Sequence, residues 1–420
     1  MNHSEATKDR GPSAFGRTAR GLGEAVGLLR GPQRILPLAS RVVEDRLRIT
    51  LHRHHLYSYT TTVRPTDEAL RLLILWIRNA QRPDGGIAAY YSLLNGYSAS
   101  YPEVTGYLVP TLYDFACTTG DEKARVCGER ATRWLQSLQM SSGAFPGGLH
   151  GDKAQFSVFN TGQILQGLTR SYAETRNSQV LEAAVSAAEW LTHVQQEDGS
   201  WSGLGAYQNI AHTYYIMVSW ALAQLSESVE HDRYGMAAER NLDWVLAHAK
   251  PSGWIEGINL LGHPTYLHFI AYVIQGLLEC GMVRRRSDAI QAAANSAWVL
   301  LRKFETNKHL LGAYNADFKG GLKFTCLTGN AQMSCVWLRL FEVTKDLRYL
   351  NAALKVNEML KELLPLGGGK GVLGGVSGSS PIWGAYQPMR YISWGGKFLA
   401  DALILEQRLK RHFERAECAS

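Results

Sequence analysis

Six short clusters of polar and aromatic residues recur along the chain, and their side-chain types are those that handle a sugar. They are Tyr101, Glu103, Thr105 and Tyr107; Asn160, Thr161 and Gln163; Asn209, His212, Tyr214 and Tyr215; His263, Tyr266 and His268; Thr325, Thr328, Asn330 and Gln332; and Tyr386, Gln387, Arg390, Tyr391, Trp394 and Lys397. Aromatic faces stack on sugar rings, while hydroxyls and amides bond to sugar hydroxyls. Each cluster opens an apolar stretch, as Ile164-Leu165 and Ile270 to Leu278 illustrate, so each marks the front of a helix whose far end is expected to be aliphatic. Six helix N-termini aimed at one mouth sum to a positive potential, which favours an anionic ligand.

Something must hold those helix fronts at one level, and a repeat supplies it. Tryptophans at 76, 134, 190, 244 and 298 each lie in an apolar helical stretch that runs into a glycine turn: Asp84-Gly85-Gly86, Ser142-Gly143, Asp198-Gly199, Ser252-Gly253 and Gly312. A sixth unit places Leu354 to Leu364 before the glycine-rich run Gly367 to Gly378. The predicted hairpins pair 66–81 with 101–119, 121–139 with 156–175, 179–196 with 207–226, 233–249 with 264–280, 287–305 with 324–343, and 347–364 with 388–409. A hairpin of two amphipathic helices cannot bury its apolar face alone and must stack on neighbours. Six such hairpins close on themselves, so the expected fold is all-α: an (α/α)6 toroid over residues 61–412, preceded by a basic arm and helix at 1–60 and followed by a tail at 413–420.

Composition narrows the class. With 45% hydrophobic residues and no apolar run of 18 or more, the chain has no membrane-spanning signature, and a cytoplasmic location is expected. Its six cysteines are scattered through apolar stretches with no CxxC spacing, which reads as reduced thiols, and no metal or other cofactor is expected. The formal net charge is +7, and much of the excess lies in the first 55 residues, either as a poorly ordered leader or as an arm for an anionic polymer or membrane surface. Nucleic acid is excluded as a partner by the lack of a basic stripe interleaved with aromatics. Each site residue also has a packing alternative. His212 and His268 suit a hydrogen-bonded core, and Glu103, after Pro102 in a first helical turn, suits a cap. Asn160 and Asn330 suit backbone anchoring, and Trp201 and Trp254 suit loop plugging.

The segment Gln196-Glu-Asp-Gly-Ser-Trp201 resembles the QxxxGxW element of terpenoid cyclase and prenyltransferase toroids, without the acidic run or zinc triad those enzymes use. Tyr101-Pro-Glu-Val-Thr-Gly-Tyr107, Phe159-Asn-Thr-Gly-Gln163, His268-Phe-Ile-Ala-Tyr272, Leu327-Thr-Gly-Asn-Ala-Gln332 and Trp394-Gly-Gly-Lys-Phe398 resemble toroid proteins of bacterial surface-polysaccharide clusters. They are also similar in style to the helical domains of glucuronyl C5-epimerases and to polysaccharide lyases. That resemblance implies lyase or epimerase chemistry on an acidic oligo- or polysaccharide, free or lipid-linked, with a base beside a neutralised uronate carboxylate. On this reading His212 and Tyr107 are base and acid, and His268 and Arg390 meet the carboxylate. Glu103, Asn160, Gln163, Tyr215, His263, Asn330, Gln332, Trp394 and Lys397 complete the binding set. The rival readings are a glycoside hydrolase using Glu103 with Asp317, the sole plausible pair among the mouth acids Glu103, Asp317 and Glu256, an isoprenoid-handling toroid, and a non-catalytic glycan-binding component.

Overall fold

The computed structural model of the protein describes residues 39–47, 64–153, 155–229, 232–258, 264–322 and 324–419. Within them, twelve helices alternate between two layers. The outer layer holds α1 (Thr66–Ala80), α3 (Glu122–Leu138), α5 (Ser178–His193), α7 (Arg233–Ala247), α9 (Ser287–Asn307) and α11 (Leu347–Glu362). The inner layer holds α2 (Pro102–Thr119), α4 (Val158–Thr175), α6 (Ile216–Ser226), α8 (Leu267–Val283), α10 (Leu327–Thr344) and α12 (Ser393–Ala419). The inner helices are in contact in ring order, α2 to α4 and onward to α12, and α12 closes back onto α2. The expected toroid is therefore the fold.

Local chemistry explains each element. Asp121, Asn177 and Asp346 cap the outer helices that follow them by accepting backbone N–H groups, and Pro102 occupies the first turn of α2, where its missing N–H costs nothing. Outer helices bury one stripe, as α1 does with Ala69, Leu70, Leu73, Ile74 and Ile77, whereas α8 and α10 bury almost every position because they are flanked on all sides. Inner helices approach closely: a Cβ on Gly106 of α2 would sit 2.6 Å from the Ile164 Cα of α4.

The glycine turns work by a rule stated three times. Gln81 Nε2 donates to Gly85 O and to Cys127 O, Gln139 Nε2 to Gly143 O and Ala183 O, and Gln195 Nε2 to Gly199 O and Ala237 O. One amide thus ties a loop both to itself and to the next outer helix. Gly85, Gly143 and Gly199 all adopt positive φ, and a Cβ on Gly199 would meet Arg240 O at 2.3 Å. The glutamine of the motif is therefore Gln195, not Gln196. Trp201 plugs its loop, fully buried with Nε1 donating to Leu191 O.

Four expectations are corrected. Helices that pack as hairpins are each inner helix with the outer helix after it, and α12 with α1, not each outer helix with the inner helix after it. The inner-to-outer connections are short, as from Thr119 to Glu122, and short connections make antiparallel neighbours. Closure consequently stitches the chain's two ends together. Thr66 Oγ1 donates to Glu406 Oε1 (2.7 Å), Ser393 Oγ to Ala88 O (2.6 Å), and strand β1 (Tyr90–Ser92) pairs antiparallel with β2 (Arg390–Ile392). Nor is the far end of the ring aliphatic: Arg170 bonds Asp114 and Glu174, Arg339 grips both oxygens of Glu279 and reaches Glu342, and Arg408 also bonds Glu342. Gln196 gives way to Gln195 as above. Finally, no tail begins at 413, because α12 runs on to Ala419.

Residues 1–38 and 48–60 of the predicted arm, and 61–63 of the predicted toroid, lie outside the described residues. Residues 39–47 form a helix that docks on the loop before α12, with buried Asp45 accepting Ile382 N–H at 2.7 Å. No helix of the described residues is long and apolar enough to cross a membrane.

Candidate active site

A cavity of about 900 Å³ opens at the N-terminal ends of the inner helices. Its wall is built by Tyr101 and Glu103 at the front of α2, Phe159 and Asn160 of α4, Tyr214 and Tyr215 leading into α6, His268, Phe269 and Tyr272 of α8, and Trp394 of α12. Tyr386 and Gln387 enter from the loop before α12. Two further loops make the rim, residues 147–157 with Asp152, Lys153 and Phe156, and residues 205–208 with Tyr207.

Glu103 is the central ionisable group. Its side chain is half-buried and faces the cavity, and desolvation raises its pKa to about 7, although the Tyr101 hydroxyl donates to Oε2 at 2.5 Å. Desolvation therefore outweighs both that hydrogen bond and the α2 N-terminus, each of which favours the anion. The capping alternative fails, since Glu103 bonds Tyr101 and the front of α2 has no side-chain cap. Among the described residues Glu103 has no ion-pair partner.

Aromatic rings surround that carboxyl. Phe159 packs against Tyr214 and Tyr272 with centroids 5.1 and 5.4 Å apart, and His268 lies 4.2 Å from Tyr272. Trp394 Nε1 donates to the Tyr386 hydroxyl at 2.9 Å. Burial, reinforced by the Glu103 charge, holds the Tyr101, Tyr214, Tyr272 and Tyr386 hydroxyls well above the usual phenol range, so they serve as neutral donors. The expected set of amides and hydroxyls is thus leaner in amides and richer in phenols.

His268 is neutral: burial lowers its pKa to about 3, and the nearby Lys397 charge also lowers it. Its Nδ1 lies 2.9 Å from Gln332 Oε1, and Gln332 Nε2 in turn donates to Gln275 Oε1 at 3.0 Å. A carbonyl oxygen only accepts, so Nδ1 carries the proton and Nε2 keeps its lone pair.

Of the residues singled out from the sequence, Glu103, Asn160, Tyr215, His268 and Trp394 line the cavity together. Three others stand one layer behind: Tyr107 bonds Tyr272, Gln332 orients His268, and Lys397 pairs with Asp401 at 2.7 Å. Gln163 is buried with Nε2 unpartnered, and Asn330 bonds the Leu310 and Cys326 carbonyls. His212, expected as the base, does not line the cavity; its Nε2 meets Tyr207 O at 3.2 Å. Arg390 lies over the Tyr90 ring and donates to Gln387, and His263 is outside the described residues. Asp317 and Glu256 pair with Lys319 and Lys250 away from the cavity. Phe159 and Tyr272 bound two of the segments that carry the resemblance but were given no site role, although Tyr272 lies four residues after His268 and so on the same helix face. Phe156, Tyr207 and Asp152 were missed as site residues.

A phenol-lined cavity with one raised carboxyl, open at one end of a ring of six helical hairpins, fits a carbohydrate-active toroid enzyme. A family model described as the β-L-arabinofuranosidase, GH127 catalytic domain matches residues 55–298, more than half of the chain, and the chain belongs to that family. No curated protein matches the sequence. Among solved structures, an unsaturated glucuronyl hydrolase specific for heparin is 14% identical with a TM-score of 0.67, over 82% of this chain and 98% of its own. The unsaturated glucuronyl hydrolase of a Bacillus species is 15% identical (TM-score 0.65; 82% and 97% covered). A cellobiose 2-epimerase from Bacillus thermoamylovorans is 12% identical (TM-score 0.65; 80% and 97% covered). At these identities the structural likeness is one of fold.

Proposed function

We propose that the protein is a glycoside hydrolase that removes a neutral furanose unit, a β-L-arabinofuranoside or a close analogue, with Glu103 as general acid. The observation that carries this reading is the Glu103 carboxyl, held at a pKa of about 7 on an aromatic wall without a counter-ion. A carboxylic acid kept protonated near neutrality gives its proton to a departing glycosidic oxygen. As the bond from the anomeric carbon to that oxygen breaks, the proton passes from Glu103 to the oxygen. Water then supplies hydroxyl to the anomeric carbon and returns a proton. Asp152, on the rim loop, is the other carboxylate facing the cavity among the described residues and is assigned to the water or the anomeric carbon.

A neutral sugar is favoured over an acidic one. Lys153 is the one lysine or arginine lining the cavity among the described residues, Arg390 is turned to Tyr90, and His268 is uncharged. The lyase or epimerase alternative has one observation behind it, the lone pair of His268 Nε2, but a pKa of about 3 makes that nitrogen a hydrogen-bond acceptor before it is a base. Hydrolysis of p-nitrophenyl β-L-arabinofuranoside by the wild type and by Glu103→Gln decides between them. A loss of about 10²- to 10⁴-fold in the variant supports the acid role. Intact Glu103→Gln turnover, or deuterium uptake from D2O at a sugar carbon without bond cleavage, overturns it.

A further inference from the structure

The rim of the cavity carries apolar surface that the acid at its floor does not use. Phe156 is 40% exposed and Tyr207 46%, and both line the mouth; Leu204 (57%) and Ile210 (54%) flank Tyr207 in the same loop. Contiguous exposed apolar side chains at the edge of a polar cavity mark a place where something binds. In this loop Gly203, Gly205, Gln208 and Asn209 all have positive φ, and two of the four are not glycine. For Gln208 and Asn209 that conformation carries a cost, and it persists because the surroundings impose it.

Those surroundings converge on one residue. The Tyr215 hydroxyl accepts the Tyr207 N–H at 2.7 Å, and His212 Nε2 reaches the Tyr207 carbonyl at 3.2 Å. Both backbone groups of Tyr207 are thus held by buried side chains, while its ring is left at the mouth. The Phe156 side is tied to the same loop, since Val158 N–H donates to Gly205 O at 2.8 Å. Phe156 packs on Trp190 with centroids 5.9 Å apart, and the Gly205 position is pressed against that same indole.

Resting on the hydrolase reading above, we infer that Tyr207 and Phe156 form an aromatic subsite for the sugar ring on the leaving-group side of the bond, with His212 as the positioning residue that sets Tyr207. The substrate class is therefore a glycoside whose leaving group is itself a sugar, an oligosaccharide end in place of a simple alkyl furanoside. Stacking accounts for the exposed rings, and the fixed backbone spares the entropy of ordering them on binding.

The test compares a β-L-arabinofuranosyl disaccharide with methyl β-L-arabinofuranoside, which has no second ring. For Tyr207→Ala, the ratio of kcat/KM on the disaccharide to that on the methyl glycoside falls at least tenfold, mainly through a higher KM. His212→Leu lowers the same ratio, His212→Gln restores it by keeping an N–H donor, and His212→Leu adds nothing once Tyr207 is alanine. A ratio unmoved by Tyr207→Ala, or a His212→Leu effect that persists without the Tyr207 ring, overturns the inference. Should the wild type cleave neither compound, the hydrolase reading fails on its own, and calorimetric titration of the disaccharide into Glu103→Gln decides the subsite. Binding that Tyr207→Ala weakens tenfold sustains it; no binding, or binding indifferent to Tyr207, overturns it.

Discussion

The two ends of the inner helices treat charge in opposite ways. At the C-terminal end every prominent charge has an opposite partner: Arg170 with Asp114 and Glu174, Arg339 with Glu279 and Glu342, and Arg408 with Glu342. At the N-terminal end Glu103 has only the Tyr101 hydroxyl to offset its burial, and His268 has given up its charge altogether. Paired charges tie neighbouring inner helices together. A carboxyl left without a counter-ion on the cavity wall adds no stability at neutral pH, which supports the acid role proposed for it.

That contrast is broken or sharpened by substitutions at each end. The largest expected effect is on turnover: Glu103→Gln costs about 10²- to 10⁴-fold in kcat, and its stability moves the other way. The folded-state pKa of about 7 lies above the unfolded value, so Glu103 costs the fold stability as pH rises from the usual carboxylate range to 7, and that cost is at its full size above 7. Glu103→Gln therefore melts at a higher temperature than the wild type at pH 8 and at much the same temperature at pH 4; calorimetry at the two pH values reads the difference. His268 acts in the other pH direction, because a neutral buried imidazole resists protonation. Stability is lost as pH falls below the ordinary histidine range, and His268→Asn flattens that acid limb in a plot of Tm against pH.

At the opposite end, Arg339→Met strands Glu279 and leaves Glu342 to Arg408 alone, and should cost about 2 to 4 kcal/mol of unfolding free energy by urea titration, with kcat little changed. A kcat that fell with it would erase the distinction between the two ends. Smaller again, Gln195→Ala removes two hydrogen bonds to carbonyls of two elements and should cost about 1 to 3 kcal/mol in the same titration, again without a kinetic signature.

The ring itself was readable in the sequence. The Trp spacing marked five of the outer helices, and the polar clusters marked the inner helix fronts, because both follow from period and turn chemistry. Hairpin pairing was misread although the signal was present: two residues separate α2 from α3, whereas a long loop separates α1 from α2, and the shorter link makes the packed pair. The site was legible in part. Glu103, Asn160 and His268 stand at helix fronts, so position along the helix sufficed for them. Whether a residue faces the cavity or the layer behind it depends on rotation about the helix axis, and that separates His268 from Gln332, which bonds it from the neighbouring helix. That His212 turns to Tyr207 O and not to the cavity depends on a loop conformation, with left-handed Gln208 and Asn209, that no local pattern announces. Asp152 and Phe156 lie in a rim loop whose approach to the cavity is set by long-range contacts such as His150 N–H to Ser100 O at 2.8 Å.

The central claim is that the cavity keeps one carboxyl protonated near neutrality. Infrared difference titration of the wild type against Glu103→Gln isolates that single group through its carboxylic C=O stretch. A band present at pH 5, half lost at about pH 7 and missing from the variant is the predicted result. A Glu103 carboxyl that ionises in the ordinary glutamate range would contradict the account.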